Sequence, residues 1–248
     1  MIRITGLHKS FGPKDVLRGV DLEIQRGETM VVIGQSGSGK SVLLKNIIGL
    51  LKPDRGAIHV DGTDITRLRG AALQRVIRKM GILFQGAALF DSLTVFQNVS
   101  FGLERQTDLS AEDIRRRVVE SLHLVGLREV EHLMPHELSG GMKKRVGLAR
   151  AIAYRPEIIL YDEPSTGIDP IRADAINSLI NSLKRELKVT SVVITHDMAS
   201  CNRVADRIAM LYEGRIIRVG TPREIREERN PVIQQFINGR SEGPIAEW

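Results

Sequence analysis

A strand, a glycine-rich loop and a helix follow one another directly near the start of this chain, and this succession limits the fold more than any other feature. The apolar run Met30–Ile33 leads into the loop, and a helical pattern begins at Lys40. The loop sequence GQSGSGKS matches the pattern G-x-x-x-x-G-K-[ST]. Glycines at such a place let backbone N–H groups surround an anion at a helix N-terminus. The residues predicted to form this phosphate site are Gly34, Gln35, Ser36, Gly37, Ser38, Gly39, Lys40 and Ser41.

Two side chains of this loop are predicted to act on a bound nucleotide. Lys40 is placed to reach the β- and γ-phosphates, and the Ser41 hydroxyl is placed to coordinate Mg²⁺. A glycine-rich turn without function would not require an apolar strand before it and a helix after it. The flanking strand and helix therefore favour a nucleotide site.

Apolar strands alternate with helices through most of the chain, which indicates an α/β fold around a largely parallel sheet. Strands covered on both faces read as continuous apolar runs. The runs of this kind are Met30–Gly34, Met80–Gln85, Glu157–Glu163 and Ser191–His196. Stretches that alternate between apolar and polar residues predict a smaller antiparallel sheet, and they are Ile2–Phe11, Gly19–Glu28 and Gly56–Ile65. Residues 207–220 read as a hairpin that turns at Glu213-Gly214.

Helical periodicity replaces the strand pattern over about residues 87–154, which predicts a helical subdomain inserted into the core. Ser110 is predicted to cap one helix of this stretch, and Asp169 is predicted to cap a later helix. We expect one domain over residues 1–228 and a C-terminal tail over residues 229–248. The tail is mostly polar, as segments without structure of their own commonly are.

Polar side chains stand at the carboxyl ends of three predicted strands. Asp162 ends one of them and is the candidate ligand for Mg²⁺, and Glu163, which follows it, is the candidate base that polarises the attacking water. His196 ends a second strand and could reach the γ-phosphate or orient Glu163. Gln85 ends a third strand and could contact Mg²⁺ or water. Each group alone is often a solvated strand end or a structural histidine, but together with the loop they favour catalysis.

The net charge of +6 does not by itself indicate a nucleic-acid partner. The densest basic clusters, IRRRVV and MKKR, are predicted to be solvated faces of amphipathic helices. The single cysteine, Cys201, excludes an internal disulfide and fits a reducing compartment. Because the sequence has no long apolar run and no apolar signal segment at its start, we expect a cytoplasmic protein.

A second anion site is predicted in the stretch HELSGGMKKRVGLARA, His136 to Ala151. Ser139, Gly140 and Gly141 precede an amphipathic helical run. Their exposed N–H groups and the helix dipole would face an anion without side-chain bulk. One chain with two phosphate sites raises the question of which nucleotide the second site serves.

The order of these motifs resembles the ATP-binding subunits of ABC transporters. The motifs that carry the resemblance, over about residues 2–221, are the loop Gly34–Ser41, Gln85, LSGG at Leu138–Gly141, YDEP, GIDP and His196. The resemblance implies a P-loop NTPase core, RecA-like, that binds ATP and Mg²⁺ and hydrolyses ATP. It also implies that two copies meet head to tail, so that each LSGG helix faces the phosphate loop of the other copy.

By this resemblance the second site serves the nucleotide of the other subunit. Ser139 and Gly141 would bind its γ-phosphate across the interface, Gly140 would belong to the same nucleotide-binding stretch, and Asp169 would lie in the loop that crosses the interface. Phe11 matches the aromatic residue that stacks on adenine. The alternative for Phe11 is a core phenylalanine on an early strand.

Three stretches are similar to the ATPases of the bacterial Mla-type phospholipid transporters. They are LSGGM, with Met142 where the family usually has glutamine, LFQGAALFDSLTVFQNV, and the closing QQFINGRSEGPI. The similarity implies a membrane permease, a lipid-binding subunit on the periplasmic side and a small cytoplasmic accessory subunit as partners. It also implies a peripheral position on the inner face of the bacterial cytoplasmic membrane. The tail, residues 229–248, is hypothesised to lie on the neighbouring ATPase subunit.

In that family the segment after the strand-end glutamine forms a groove for a helix of the permease. Phe84, Leu89, Phe90 and Leu93 are the candidate groove residues of this chain. The equal alternative is that these four side chains pack the core of the helical subdomain.

Two other functions fit parts of the sequence. An ATPase for a small-solute transporter would carry the same motifs, because contacts with the cargo are expected in the permease. An ABC ATPase of DNA repair or translation usually has a long coiled-coil insert or two ATPase units in one chain. This sequence has one set of motifs and no sustained heptad run, so no nucleic-acid partner is expected.

Overall fold

The structure, a computed structural model, describes residues 1–245. The described chain forms two compact units, one of Met1–Val76 with residues 192–245, and one of Ile77–Ser191. No helix among residues 1–245 has the length and apolar character that crossing a membrane requires.

The strands are β1 (Ile2–Phe11), β2 (Lys14–Ile24), β3 (Thr29–Ile33), β4 (Arg55–Val60), β5 (Thr63–Asp64), β6 (Met80–Leu83), β7 (Ile158–Asp162), β8 (Thr190–Ile194), β9 (Arg207–Tyr212) and β10 (Arg215–Gly220). The helices are α1 (Lys40–Ile47), α2 (Gly70–Ile77), α3 (Val95–Gln106), α4 (Ala111–Leu124), α5 (Gly140–Ile152), α6 (Pro170–Leu187), α7 (Met198–Val204), α8 (Pro222–Glu227) and α9 (Pro231–Asn238). A 3₁₀ turn spans Pro135–Glu137.

A four-stranded antiparallel sheet lies in the first unit, with the strand order β2-β1-β4-β5. Its register pairs Ile2 with Ile24 on one side and with Val60 on the other. All three side chains are buried, because alternate residues of paired strands point to the same face of a sheet. The smaller antiparallel sheet predicted from the alternating pattern is therefore confirmed.

The continuous apolar runs form strands that are mainly parallel, as predicted. In the first unit the strand order is β10-β9-β3 followed by the part of β8 from Val192 on, and β3 runs parallel to β9 with Met30 opposite Arg207. In the second unit β6 runs parallel to β7 with Met80 opposite Ile158. Every residue of β3, β7 and β8 is buried, which is why these runs do not alternate. The predicted α/β class is confirmed.

The predicted hairpin is formed by β9 and β10. Its two turn residues, Glu213 and Gly214, both have positive φ, 46° and 75°. A two-residue turn of this kind has the twist that the flanking strands require. The predicted hairpin and its turn at Glu213-Gly214 are therefore confirmed.

All elements between residues 87 and 154 are helical, as the periodicity predicted. Ser110 caps α4 by accepting a hydrogen bond from the N–H of Asp113, and Asp169 caps α6 by accepting one from the N–H of Arg172. Both helix starts are therefore confirmed. The division of the chain into a core and an inserted subdomain stays a prediction.

The helix α9 provides structure in the predicted tail. Ile233 and Gln235 of α9 are buried. The Gln235 carboxamide donates to the carbonyl of Ile245 at 3.2 Å and accepts from its N–H at 2.7 Å, which holds the end of the described chain. Residues 231–245 therefore differ from the polar tails that commonly lack structure of their own, and a contact of the tail with a neighbouring subunit stays a hypothesis. Residues 246–248, which also belong to the predicted tail, lie outside the described residues.

Candidate functional site

The predicted phosphate loop lies between β3 and α1 in the first unit. Its glycines adopt backbone conformations that other residues rarely take, with φ of 77° at Gly37 and 105° at Gly39. A Cβ atom at Gly39 would lie 3.0 Å from Val16 and 3.1 Å from Leu17. The shape of the loop therefore depends on glycine, as expected for a backbone cradle around phosphate.

Lys40 is the first residue of α1, and its side chain turns back to the loop. Its Nζ donates to the carbonyl of Gly34 at 2.7 Å and to that of Gln35 at 2.8 Å. The residue is only 6% exposed, and a buried ammonium group needs acceptors of this kind. The ammonium group is thus held beside the cradle, where it can donate to phosphate oxygens in place of these two carbonyl oxygens.

The side-chain hydroxyl of Ser38 indicates whether the loop fits a nucleotide. Its Oγ is buried and has no hydrogen-bond partner among the described residues. A buried hydroxyl of this kind is costly unless a bound group completes its hydrogen bonding. A phosphate oxygen would do so, and Ser41 lies half-buried in the first turn of the adjoining helix. The residues of the loop therefore fit a bound nucleotide.

Phe11 ends β1 and is 47% exposed, so the alternative that it is a core residue is wrong. Lys9 Nζ lies 5.5 Å from the centroid of the Phe11 ring and 2.9 Å from an oxygen of Asp54. Hydrogen bonds from Lys9 and from the Ser10 N–H lower the pKa of Asp54. An exposed ring at the end of a paired strand suits stacking on a base, and this role stays a prediction.

A cavity of about 320 Å³ adjoins the phosphate loop in the first unit. Its walls come from residues 35–38 of the loop, from Lys14, Val16 and Arg18 of β2, and from the turn between β9 and β10. Its volume lies at the lower end of the range for small-molecule sites.

His196 follows the last residue of β8 by two positions and is exposed. The next residue, Asp197, caps α7 by accepting hydrogen bonds from the N–H groups of Ala199 at 2.9 Å and Ser200 at 3.2 Å. The cap restrains the backbone beside His196. The imidazole is thus at the carboxyl end of its strand, as predicted, whereas its contact with a phosphate stays a prediction.

Asp162 is the last residue of β7 in the second unit, and Glu163 is the first residue beyond it. The two residues are 7% and 8% exposed. The φ angle of Glu163 is 50°, in the left-handed region that residues other than glycine rarely adopt. Thr166 Oγ1 donates to Glu163 Oε2 at 2.9 Å, which orients the carboxylate. Backbone conformations of this kind cluster at functional sites, which supports a role for Glu163 in catalysis.

Lys144 is a residue of this site that the sequence pattern did not reveal. Contrary to the prediction that MKKR forms a solvated helix face, Lys144 is only 7% exposed. Its Nζ donates to the carbonyls of Pro164 at 2.9 Å and Glu163 at 3.4 Å. Burial lowers the pKa of Lys144, and the charge of Glu163 opposes that shift. Helical spacing places Lys144 on the same face as Leu148 and Ala151, but the carbonyls that make its burial possible belong to a loop 19 residues later, which the spacing does not reveal.

Gln85 follows the end of β6 by two positions and is exposed. Asn98 holds the segment after it, accepting a hydrogen bond from the Phe90 N–H at 2.8 Å. The Asn98 amide also donates to the carbonyls of Phe90, Leu93 and Thr94 at 3.1, 2.9 and 3.0 Å. The one accepted and three donated hydrogen bonds of this buried side chain give the irregular segment a defined shape.

The four candidate groove residues lie on or next to this segment. Phe90 is 43% exposed, and Phe84, Leu89 and Leu93 are half-buried. None of the four is a fully buried core residue. The ring of Phe90 also packs against that of Phe101 in α3, with 4.5 Å between the centroids, so the partial exposure of the four residues fits both alternatives and the contact with a permease stays a prediction.

Ser139 is the N-cap of α5, and its Oγ accepts a hydrogen bond from the Met142 N–H at 3.3 Å. Gly140 and Gly141 form the first turn, and Ser139 and Gly140 are exposed. A cavity of about 230 Å³ lies at this helix end, lined by Ser139, Gly141, Met142 and Arg172 among others. The small residues leave the N-terminus of α5 accessible, as the second predicted anion site requires.

Asp169, the N-cap of α6, also forms an ion pair with Arg172 at 3.2 Å. Asp169 is exposed, and Ile171, two residues later, is 84% exposed. The cap holds this loop in one conformation while its side chains remain accessible. An accessible loop of this kind suits the predicted interface, and that role of Asp169 stays a prediction.

No group of three or more His, Cys, Asp or Glu residues that could hold a metal occurs within residues 1–245. The predicted Mg²⁺ ligands, Ser41, Gln85 and Asp162, include a single carboxylate. Mg²⁺ is usually bound by one or two carboxylates together with substrate phosphates. Donors of these types therefore suit Mg²⁺ bound together with nucleotide phosphates, and the assignment of the three residues to one ion stays a prediction.

The sequence of this chain is similar to a known protein family and to proteins named for transport. Residues 17–166 match the ABC transporter family. The chain is 40% identical over 245 residues to the intermembrane phospholipid transport system ATP-binding protein MlaF of Haemophilus influenzae, covering 99% of this chain and 93% of that protein. It is 42% identical over 244 residues to a probable ribonucleotide transport ATP-binding protein of Mycobacterium leprae, covering 98% of this chain and 70% of that protein.

A solved structure of the ATP-binding cassette MJ0796, dimeric and bound to ADP and Pi, is similar in fold. It has a TM-score of 0.82 and 33% identity, covering 90% of this chain and 99% of that one. The P-loop NTPase core predicted from the motifs is confirmed by this likeness. With the family match over more than half of the sequence, these findings show that the chain belongs to the ABC transporter family, as one of its ATP-binding, ATP-hydrolysing members.

Proposed function

We propose that this chain powers phospholipid transport: it hydrolyses ATP as a head-to-tail dimer and drives a membrane permease. The observation that carries the proposal is the 40% identity to MlaF, named for intermembrane phospholipid transport, over 93% of that protein. The two anion sites support the dimer, because one lies at the N-terminus of α1 in the first unit and the other at that of α5 in the second. In a head-to-tail pair each of these sites would serve a different nucleotide.

The phosphate loop and three metal-binding groups have distinct roles in the proposed reaction. The backbone N–H groups of residues 34–39 and the ammonium group of Lys40 bind and orient the phosphates. Ser41, Gln85 and Asp162 hold Mg²⁺, which when bound supplies positive charge against the charge that develops on the transferred phosphoryl group. These groups therefore act by positioning and by electrostatic stabilisation.

Glu163 is the proposed general base of the reaction. Its carboxylate, oriented by Thr166, accepts the proton of the attacking water. His196 contacts the γ-phosphate or orients Glu163. Ser139 and Gly141 bind the γ-phosphate of the nucleotide that the other copy holds in its phosphate loop.

The nucleotide itself joins the two copies in this proposal. Phe11 stacks on its adenine, and Asp169 lies in the loop that crosses the interface. A group with several negative charges between two helix N-termini attracts both surfaces. Hydrolysis followed by release of phosphate weakens this attraction, so the dimer separates once per cycle and can move a permease.

The proposed partners are a second copy of the chain, a membrane permease, a periplasmic-side lipid-binding subunit and a small cytoplasmic accessory subunit. The chain is proposed to act at the inner face of the bacterial cytoplasmic membrane, with no nucleic-acid partner. Phe84, Leu89, Phe90 and Leu93 are proposed to form the contact surface for the permease.

The complex of this chain with its permease is expected to carry bound phospholipid and to transfer it between vesicles only while ATP is hydrolysed. Solvent extraction with mass spectrometry identifies the bound lipid, and fluorescent phospholipid measures the transfer. The matched control is the same complex with Glu163→Gln, in which transfer should fall together with hydrolysis.

Small-solute transport is the second candidate function, favoured by the 42% identity to the probable ribonucleotide transport protein. A complex without bound phospholipid, whose ATP hydrolysis is stimulated by a ribonucleotide or another small solute, would support this second function. The same result would refute phospholipid transport.

Deletion of residues 239–248 is expected to weaken ATP-dependent dimerisation at least about tenfold, equivalent to about 1.4 kcal/mol, if the tail supports the neighbouring subunit as we propose. Sedimentation with ATP measures the dimer. Gln235→Ala keeps the tail and removes its hydrogen bonds to Ile245, so it separates loss of the tail from loss of this contact. A truncated chain that dimerises and transports like the intact one would refute the role of the tail.

A further inference from the structure

Lys144 is a buried cation in the second unit to which the proposed reaction assigns no role. It lies in the second turn of α5 and is 7% exposed. Burial of an ammonium group is costly unless acceptors surround it. Its Nζ finds such acceptors in two consecutive backbone carbonyls, those of Glu163 and Pro164.

The backbone that Lys144 contacts has an unusual conformation. The φ angle of Glu163 is 50°, although a residue that precedes proline is biased toward extended conformations. A residue in this region keeps its conformation only where its surroundings determine it. The bonds from Lys144 to the carbonyls of Glu163 and Pro164 restrain both of the residues that form this turn.

The carboxylate of Glu163 is oriented by a second set of contacts. Thr166 Oγ1 donates to Glu163 Oε2 at 2.9 Å, and the Thr166 N–H donates to the Glu163 carbonyl at 3.2 Å. A change in the backbone of Glu163 would still move its Cβ and with it the carboxylate. The position of the carboxylate therefore depends on α5 as well as on its own loop.

We propose that Lys144 is a positioning residue for ATP hydrolysis, which holds the backbone of Glu163 in place and ties the general base to α5. The inference rests on the proposed function, in which Glu163 is the base. The N-cap of the same helix, α5, is Ser139, and in the proposed function Ser139 contacts the nucleotide that the other copy holds. Lys144 thus links the helix that contacts one nucleotide to the base that acts on the other.

Lys144→Met in the full chain removes the ammonium group while nearly keeping the length of the side chain. We expect kcat to fall at least about tenfold and KM for ATP to change less than about twofold, because a displaced base costs rate more than nucleotide affinity. Lys144→Gln keeps an N–H donor on a shorter side chain and should lower kcat less, by about threefold. Lys143→Met removes the same charge at the adjacent, half-buried position and should keep the original kcat.

A double-mutant cycle separates positioning from a general structural role. In the Glu163→Gln chain, Lys144→Met should change the residual single-turnover rate by less than about twofold, because a positioning residue has no effect once its base is absent. A structural role would lower the rate in both backgrounds by a similar factor.

Unchanged kcat in Lys144→Gln, or in a folded Lys144→Met chain, would overturn the inference, and so would an equal loss of rate in the Glu163→Gln background. If Lys144→Met shows no cooperative thermal transition, Lys144→Gln is used in the same cycle. Normal turnover of the Glu163→Gln chain would instead refute the assignment of the base. The failure of the inference and that of the proposed function are therefore distinguishable.

Discussion

Replacing Glu163 by glutamine is expected to lower kcat for ATP hydrolysis by about 10²- to 10⁴-fold, the range that a positioned general base contributes. The amide keeps the shape of the carboxylate but cannot accept the proton of the attacking water. Thr166 Oγ1, which is 2.9 Å from Glu163 Oε2, can still donate to the amide oxygen and hold the side chain. Steady-state release of phosphate measures the effect.

The same variant is expected to accumulate as an ATP-bound dimer, because its binding groups are intact and the step that separates the copies is slow. Size-exclusion chromatography with and without ATP detects this dimer. Glu157→Gln is the matched control, since that carboxylate precedes the same strand and pairs with Lys79 at 3.2 Å. It should hydrolyse ATP normally. Undiminished turnover of the Glu163→Gln chain would show that another group is the base.

Replacing Lys40 by alanine is expected to weaken ATP binding by about 30- to 4,000-fold, the equivalent of about 2–5 kcal/mol for removing one partner of a buried charged pair. The ammonium group is 6% exposed and is held beside the phosphate cradle by the Gly34 and Gln35 carbonyls. Without it, the phosphates lose a charge-assisted hydrogen bond. Titration calorimetry with ATP measures the affinity.

The matched control for Lys40 is Lys45→Ala, which removes an exposed lysine from the same helix. It should bind ATP with the original affinity. The Lys40→Ala chain should neither hydrolyse ATP nor dimerise with it, in contrast to the Glu163→Gln chain, which should dimerise. An Lys40→Ala chain with the original Kd for ATP would contradict the assignment of the phosphate loop.

Much of the fold follows from patterns between residues that are close in the sequence. The strand predicted at Glu157–Glu163 is β7, Ile158–Asp162, because a strand covered on both faces has to be apolar at every position. The cap at Ser110 could also be predicted from the sequence, since the hydrogen bond that starts the helix joins residues only three positions apart. Strands, caps and the glycine loop could thus be predicted without knowledge of long-range contacts.

Three features could not be predicted in this way, because they depend on distant segments. Phe11 ends a strand whose apolar residues Ile2, Ile4 and Leu7 are buried, and only the folded chain shows that Phe11 itself is 47% exposed. The tail looked too polar to have structure, yet Gln235 binds the backbone at Ile245 and so satisfies a buried amide. Lys144 has the sequence context of an exposed lysine, and its burial depends on a loop that follows it in the chain by 19 residues.

The sequence by itself determined the family, the α/β class and the order of the motifs, because the phosphate loop and the polar strand ends need particular residues at short spacings. Only the tertiary structure decided that Lys144 is buried against the backbone of Glu163, and that Glu163 adopts a left-handed conformation there. The physical reason is that the cost of burying a charge depends on which groups lie opposite it. Folding, and not the local pattern, brings those groups together.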